Sequence, residues 1–174
     1  MTRRRVEVVP YRTEWKALFE QEKQLIDEIF NQDGAEIYHI GSTSVPGLSA
    51  KPIIDIMLAA NSLELVEKAT PALEGAGYTA KGENGIPGRR YFQKADEHGI
   101  RKVHLHAFEK GSHQIYRHLV FRDYLRSHPV EAGKYADVKV EAARKYEYDI
   151  ESYIAAKSPT ITELEEKAKS WRPL

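Results

Sequence analysis

His39-Ile40-Gly41-Ser42-Thr43-Ser44-Val45-Pro46-Gly47-Leu48-Ser49-Ala50-Lys51-Pro52-Ile53-Ile54-Asp55-Ile56-Met57-Leu58 reads as strand, polar loop, strand. A strand from Glu36 to Ile40 enters it. The segment from Pro52 to Leu58 leaves it and is almost wholly apolar, as a buried strand is. Gly41 allows a backbone to approach a ligand closely. Ser42, Thr43 and Ser44 offer hydroxyls, and the N–H groups of such a turn can form a nest for an anion. Asp55 stands inside the apolar strand, where a carboxylate needs a partner, a cation or a raised pKa. A capped turn followed by an Asp that satisfies nearby backbone is the plainer account of the same residues.

Outward from this stretch, the N-terminal side reads as a short strand over Val6, Val8 and Val9, stopped by Pro10. A helix follows, with Thr13 as cap and Trp15, Leu18, Phe19, Leu25, Ile26, Ile29 and Phe30 on one stripe. On the C-terminal side Asn61, with Glu64 in the reciprocal position, opens a helix that stops near Gly75 and Gly77. Tyr78 to Ala80 is a short strand, and Lys81 to Gly88 a glycine-rich loop. Arg89 to Lys94 and Ile100 to Phe108 form an antiparallel pair about a turn. After Gly111 the pattern is helical. One helix ends near Pro129, a second carries Tyr135, Val138, Ala142 and Tyr146, and Ser158-Pro159 reads as a helix start. These elements predict an α/β sheet module over about residues 1–110, with a helical C-terminal third over about 111–174 packed on it as one domain.

Composition narrows the function. The chain has 174 residues, enough to bury a core without staples. It has no cysteine, which removes thiolate nucleophiles, disulfides and cysteine-based metal sites. Lys plus Arg and Asp plus Glu are both 26, so bulk charge disfavours nucleic-acid binding. The basic start Met1-Thr2-Arg3-Arg4-Arg5 precedes an apolar run too short for a secretory signal, and no stretch is long enough for a bilayer span. A cytoplasmic protein is expected.

His104 and His106 are two apart on a strand and share a face. If the strand bearing Asp55 lies beside theirs, they make a two-histidine, one-carboxylate set, although packed strand histidines have the same spacing. His39 is read as orienting the loop. His98, His113, His118 and His128 are read as surface residues. Arg89 and Arg90 point to opposite faces of their strand, so at most one serves a phosphate through its fork of donors. Lys51 is a similar candidate, while Glu83 is read as solvated. Arg122 and Arg126 share a helix face, either lining the mouth of a pocket or joining a surface network. Tyr135, Tyr146 and Tyr153 are spaced as core or interface residues.

The stretch from His39 to Leu58 resembles the GrpB family of small bacterial proteins. So do Gly88-Arg89-Arg90-Tyr91-Phe92, His104-Leu105-His106, His118-Leu119-Val120-Phe121-Arg122-Asp123-Tyr124-Leu125-Arg126 and the helical tail. That family is in turn similar to the nucleotidyltransferase superfamily of the polymerase-β type. There a Gly-Ser turn holds the nucleotide phosphates, and carboxylates on the next strand and a later strand bind magnesium. The resemblance implies a nucleotidyltransferase-like mixed or antiparallel sheet flanked by helices. It also implies a phosphate site at Gly41, Ser42, Thr43 and Ser44 with Lys51, Arg89 and Arg90. Asp55 becomes the catalytic carboxylate and, with His104 and His106, the metal set. The second carboxylate of the superfamily falls at Met57 and the later one at the histidines. The expected cofactors are a nucleoside triphosphate and a divalent ion, with Mn, Zn, Ni or Fe suited to the imidazoles better than Mg. Three functions compete: a nucleotidyltransferase-like enzyme, a degenerate nucleotide or anion binder without turnover, and a metal-assisted small-molecule enzyme at a His-His-Asp centre. The expected partner is a phosphate-containing small molecule, not a membrane.

Overall fold

The computed structural model describes residues 5–31 and 33–172. The basic run Met1 to Arg4 lies outside them. Five strands, β1 (Glu36–Ile40), β2 (Ile54–Ala60), β3 (Tyr78–Ala80), β4 (Arg90–Ala95) and β5 (Arg101–Glu109), form one sheet in the order β1-β2-β5-β4-β3. β2 and β5 run parallel and every other neighbouring pair antiparallel, so the sheet is mixed, as expected. The helices are α1 (Glu14–Ile29), α2 (Leu63–Gly75), α3 (His113–Ser127), α4 (Pro129–Lys145) and α5 (Ile150–Trp171).

Strand alternation sorts the central strands into two chemically different faces. Ile54, Ile56 and Leu58 of β2 and Val103, Leu105 and Ala107 of β5 all point to one side and are essentially excluded from water. They pack against Trp15, Phe19 and Ile26 of α1 and Val66 and Leu73 of α2. Each large side chain buried this way contributes about 1.5–3 kcal/mol, which sets the register of the sheet. The opposite face carries Asp55 and Met57 of β2 and His104 and His106 of β5. In the parallel register Asp55 is paired with His104, and Met57 with His106.

That polar face lies under the helical third. Val45 and Leu48, from the loop between β1 and β2, insert into a cluster with Val120, Tyr124, Leu125, Tyr135 and Leu164. The loop is thereby clamped between sheet and helices, and α4 and α5 are held over Asp55's end of the sheet.

Several local expectations change. Val6 to Val9 is not a strand of the sheet: Val9 makes one isolated antiparallel bridge with Ala50, while Val6 donates to the Glu147 carbonyl. Thr13 makes no side-chain cap. Ser62, not Asn61, caps α2 by accepting from the Leu65 N–H, and Asn61 instead donates to the Asp33 carbonyl. Ser158-Pro159 starts no helix, because α5 runs through it. Pro159 sits on the exposed side, where water can serve the carbonyl that loses its helical partner. Glu22, on α1, is buried and takes hydrogen bonds from Tyr78 (2.7 Å) and Lys94 (2.9 and 3.0 Å). The helical pattern had no sign of it. Among the described residues no helix is long and apolar enough to cross a membrane.

Candidate functional site

Gly41 ends β1 at φ 73° and ψ −174°, a conformation glycine alone adopts readily. A single 3-10 turn over Ser42–Ser44 follows. A Cβ on Gly41 would lie 2.7 Å from Asp55 Oδ2, so the glycine makes room for the carboxylate of the neighbouring strand. The turn is braced on every side. His39 Nε2 shares a hydrogen bond of 2.9 Å with Thr43 Oγ1, and its ring stacks on Phe19 at 4.8 Å. Ser44 is buried and its hydroxyl donates to the Gly41 carbonyl. From α3, Arg126 donates to the Ser44 carbonyl (2.9 Å) and Arg122 to the His39 carbonyl (3.3 Å). These arginines therefore hold the turn from behind. Burial pushes His39 down to about 4, so it serves the turn as a neutral imidazole.

Asp55 is the junction of the polar face. Its Oδ1 lies 3.0 Å from His106 Nε2 and 3.6 Å from His104 Nδ1. Burial opposes its charge, but the hydrogen bonds from His104 and His106 outweigh that and hold the carboxyl well below the usual range. Arg89 fixes the network from the other end. It is buried, and it donates to the carbonyls of Glu83 (3.1 Å) and Asn84 (2.9 Å) and to His106 Nδ1 (3.2 Å). Since an arginine can only donate, His106 Nδ1 accepts, and its Nε2–H donates to Asp55. His118 lies beside this pair, its ring 6.2 Å from that of His106, and burial with nearby Arg117 pushes it down to about 4. The surface reading of His118 does not hold.

Beside Asp55 opens a cavity of about 190 Å³. Its floor is Ser42, Thr43, Asp55 and His104, and Lys51 stands at its edge. Its roof is Lys139 of α4 with Tyr153 and Lys157 of α5. Lys139 is 2% exposed and its Nζ has no hydrogen-bond partner; it rests 4.5 Å over the Tyr135 ring. Lys51 and Lys157 flank the Tyr153 ring at 4.8 and 4.9 Å. Burial lowers all three amines, and neighbouring lysines add to it for Lys51, lowered to about 8, and Lys139, lowered to about 7. The Tyr153 hydroxyl and His104 Nε2 are also buried and unpartnered.

Of the residues singled out in the sequence, Ser42, Thr43, Lys51, Asp55 and His104 line this cavity. His106 and Arg89 stand behind Asp55 in succession. Gly41 lies beneath the carboxylate, and the Ser44 hydroxyl turns inward. Arg90 is on the other face of β4, paired with Glu67 of α2 at 2.8 Å, and does not face the cavity. Glu83 is not merely solvated, since its carboxylate accepts from the Gly88 N–H at 2.7 Å. The residues that sequence reading missed are Lys139, Lys157 and Tyr153. Only Lys139 carried a faint signal: it falls four after Tyr135 and three before Ala142, on an apolar stripe where a lysine is out of place.

The magnesium pair of the polymerase-β type does not fit this donor set. Met57, at the second carboxylate's position, is fully buried in an apolar cluster with Ile40 and Phe108. Asp55 is one carboxylate, already bonded to imidazole, and three lysines line the cavity beside it. Among the described residues no group of three or more His, Cys, Asp or Glu side chains is arranged to hold a metal ion.

A mixed sheet, a glycine-serine turn leading into a carboxylate-bearing strand, and a helical roof make up a nucleotidyltransferase-like fold. Cid1 poly(U) polymerase in its MgGTP-bound form shares this fold, with a TM-score of 0.54 and 11% identity over 78% of this chain and 43% of that one. The chain belongs to the GrpB family, whose description is "GrpB protein" and which it matches over residues 5–167. It is similar to the crystal structure of the conserved protein GrpB from Enterococcus faecalis, with a TM-score of 0.88 and 36% identity over 95% of this chain and all of that one. It is 44% identical over 98% of its length to UPF0157 protein YqkA of Bacillus subtilis, of which it spans 49%.

Proposed function

We propose that the protein binds a nucleoside polyphosphate, or a phosphorylated small molecule of similar charge, in the cavity between the glycine turn and α4–α5. The observation that supports this reading is that Lys139, Tyr153 and His104, each with a buried side-chain polar atom that lacks a hydrogen-bond partner, line one cavity. Buried polar groups are almost always paired, so three residues with an orphaned polar atom around one space support a ligand that would complete them on binding. Lys51 and Lys157 add positive charge, and no carboxylate other than Asp55 lines the cavity to balance it. A chain of phosphates supplies the missing charge and acceptors.

Calorimetric titration with a nucleoside mono-, di- and triphosphate, and with inorganic tripolyphosphate, tests the reading. Affinity should rise with each phosphate, and tripolyphosphate should retain most of it. Equal affinity for mono- and triphosphate, or no binding of any member, contradicts the reading.

The buried methionine at position 57 supports binding without the superfamily's own catalytic apparatus. An ion taken by Asp55 and the imidazoles would have to displace their hydrogen bonds, and the nitrogen donors would select a transition ion. If titration with Mn, Zn and Mg gives any heat, it should be strongest with Mn or Zn. Magnesium bound as tightly as manganese contradicts this donor assignment.

A further inference from the structure

The cavity beside Asp55 is small for the ligand it is read to hold. Small-molecule sites enclose roughly 300–1,000 Å³, and this one encloses about 190 Å³. Lys51 and Ile53 also line a second hollow of about 240 Å³, so the two adjoin, and together they reach that range. The apolar wall of the second hollow is Pro52, Ile53 and the exposed Ile100, and its charge comes from Arg5, Glu7 and Arg101. A β-bulge puts Arg101 there. Val103 pairs with Lys94, whose ammonium reaches Glu22 on the α1 side, but Arg101 pairs with Ala95, one step on. The extra residue, Lys102, turns Arg101 off the apolar face of Val103 and onto the side of the sheet that carries Asp55 and His104. Among the described residues Arg101 has no side-chain hydrogen bond or ion pair. Arg5 is held by an exposed pair with Glu147 at 2.9 Å, a contact that competes weakly with a phosphate.

We propose that this second hollow is an anion subsite for a phosphomonoester, occupied while the cavity holds the polyphosphate, with Arg101 as its principal contact. This rests on the polyphosphate reading of the cavity. The ligand class it defines is a nucleotide phosphorylated at both ends. Its polyphosphate lies among Lys51, Lys139 and Lys157, its sugar crosses the stem of Lys51, and a second phosphate on that sugar meets Arg101. The guanidinium offers a fork of donors that matches phosphate oxygens. Pro52, Ile53 and Ile100 cover an organic part that inorganic phosphate lacks. Glu7 is the one carboxylate of the hollow, and Arg5 offsets it. A separate phosphorylated co-substrate presents the same phosphomonoester, and the two sources are told apart by experiment.

The test is calorimetric titration of the full chain with adenosine 5′-diphosphate and with the same nucleotide bearing a 3′-phosphate. The added phosphate should tighten binding about tenfold or more, the yield of a charge-assisted hydrogen bond. Arg101→Gln should cut that gain to about twofold or less. Lys102→Gln removes the same charge from the neighbouring residue, which points away towards Asp96 at 4.0 Å, and should keep the gain. In a second arm, protein saturated with tripolyphosphate is titrated with glycerol 3-phosphate. Binding there that Arg101→Gln abolishes, without a gain from the 3′-phosphate, supports the subsite and assigns it to a separate co-substrate. No gain in the first arm and no heat in the second, in protein that binds tripolyphosphate, overturns the subsite alone. A gain as large in Arg101→Gln as in wild type also overturns it. Failure to bind tripolyphosphate at all overturns the cavity reading and the subsite with it, so the two failures are told apart.

Discussion

Replacing Lys139 with methionine makes the free protein more stable and strips it of polyphosphate affinity. Lys139 Nζ is buried without a hydrogen bond and faces Lys51 and Lys157. Methionine keeps most of the apolar stem and removes the unpaired donor. A buried unsatisfied polar group costs about 1–3 kcal/mol, and more when charged, so the gain should fall in that range or above. The sign depends on pH. Burial and the neighbouring lysines lower the folded-state value from 10.5 to about 7, so the unfolded chain binds this proton more tightly. Between those values the folded protein loses stability as pH falls, and below about 7 it bears the full penalty. The advantage of the variant is therefore largest near neutral pH and below, and fades as pH approaches 10.5. Ligand binding moves the other way. A charge-assisted hydrogen bond is worth about 1.5–3 kcal/mol, so affinity for tripolyphosphate should fall about ten- to a hundredfold. Urea unfolding near neutral and near alkaline pH, with calorimetry beside it, checks both halves. A variant less stable than wild type at neutral pH contradicts this account of Lys139.

The floor of this cavity was legible in the sequence, and its roof was not. Gly41, Ser42, Asp55, His104 and His106 lie within or near strands whose apolar alternation fixes their faces. Strand period alone put both histidines on one side. Arg89 and Arg90 were separable into opposite faces, but not which of them turned inward. That depends on the pairing of β4 with β5 and on the loop carbonyls of Glu83 and Asn84, neither of which is a local property. The roof is a tertiary product. Tyr153 and Lys157 are four apart on α5, a spacing that many surface helices share. Only the docking of α5 through Leu164 and Ala168 turns them inward. Pro159 misled for a related reason, since a proline's cost is small where the freed carbonyl meets water.

Gly41→Ala should damage the protein more than any other glycine-to-alanine change in the loop. Its φ of 73° with ψ of −174° costs a non-glycine residue about 1–3 kcal/mol before any contact is considered. The added methyl would then meet Asp55 Oδ2 at 2.7 Å and Asp55 Cβ at 3.2 Å. Asp55 must swing away, and its links to His106 and His104 go with it. Gly47→Ala is the matched control: its φ is 83°, yet a Cβ there meets nothing within 4 Å. Denaturant unfolding of both should show Gly41→Ala losing about 2 kcal/mol or more beyond Gly47→Ala, the range of a broken buried charged hydrogen bond. Tripolyphosphate affinity should fall in the first variant and persist in the second. Equal losses in the two would mean that Gly41 answers only to backbone strain, not to the carboxylate beneath it.

The split of the cavity between floor and roof also sets an order in time. The floor is drawn from residues 41 to 104, and the roof from Lys139, Tyr153 and Lys157. As the chain emerges from the ribosome, the sheet can pair and bury its apolar face on α1 and α2 before α5 exists. The cavity closes only when α4 and α5 dock and bring Lys139 and Lys157 towards Lys51. Assembly of the site is therefore expected to follow pairing of the sheet. A polyphosphate bound as proposed would then act as a nucleating counter-charge, drawing α4 and α5 down onto a sheet that has already formed.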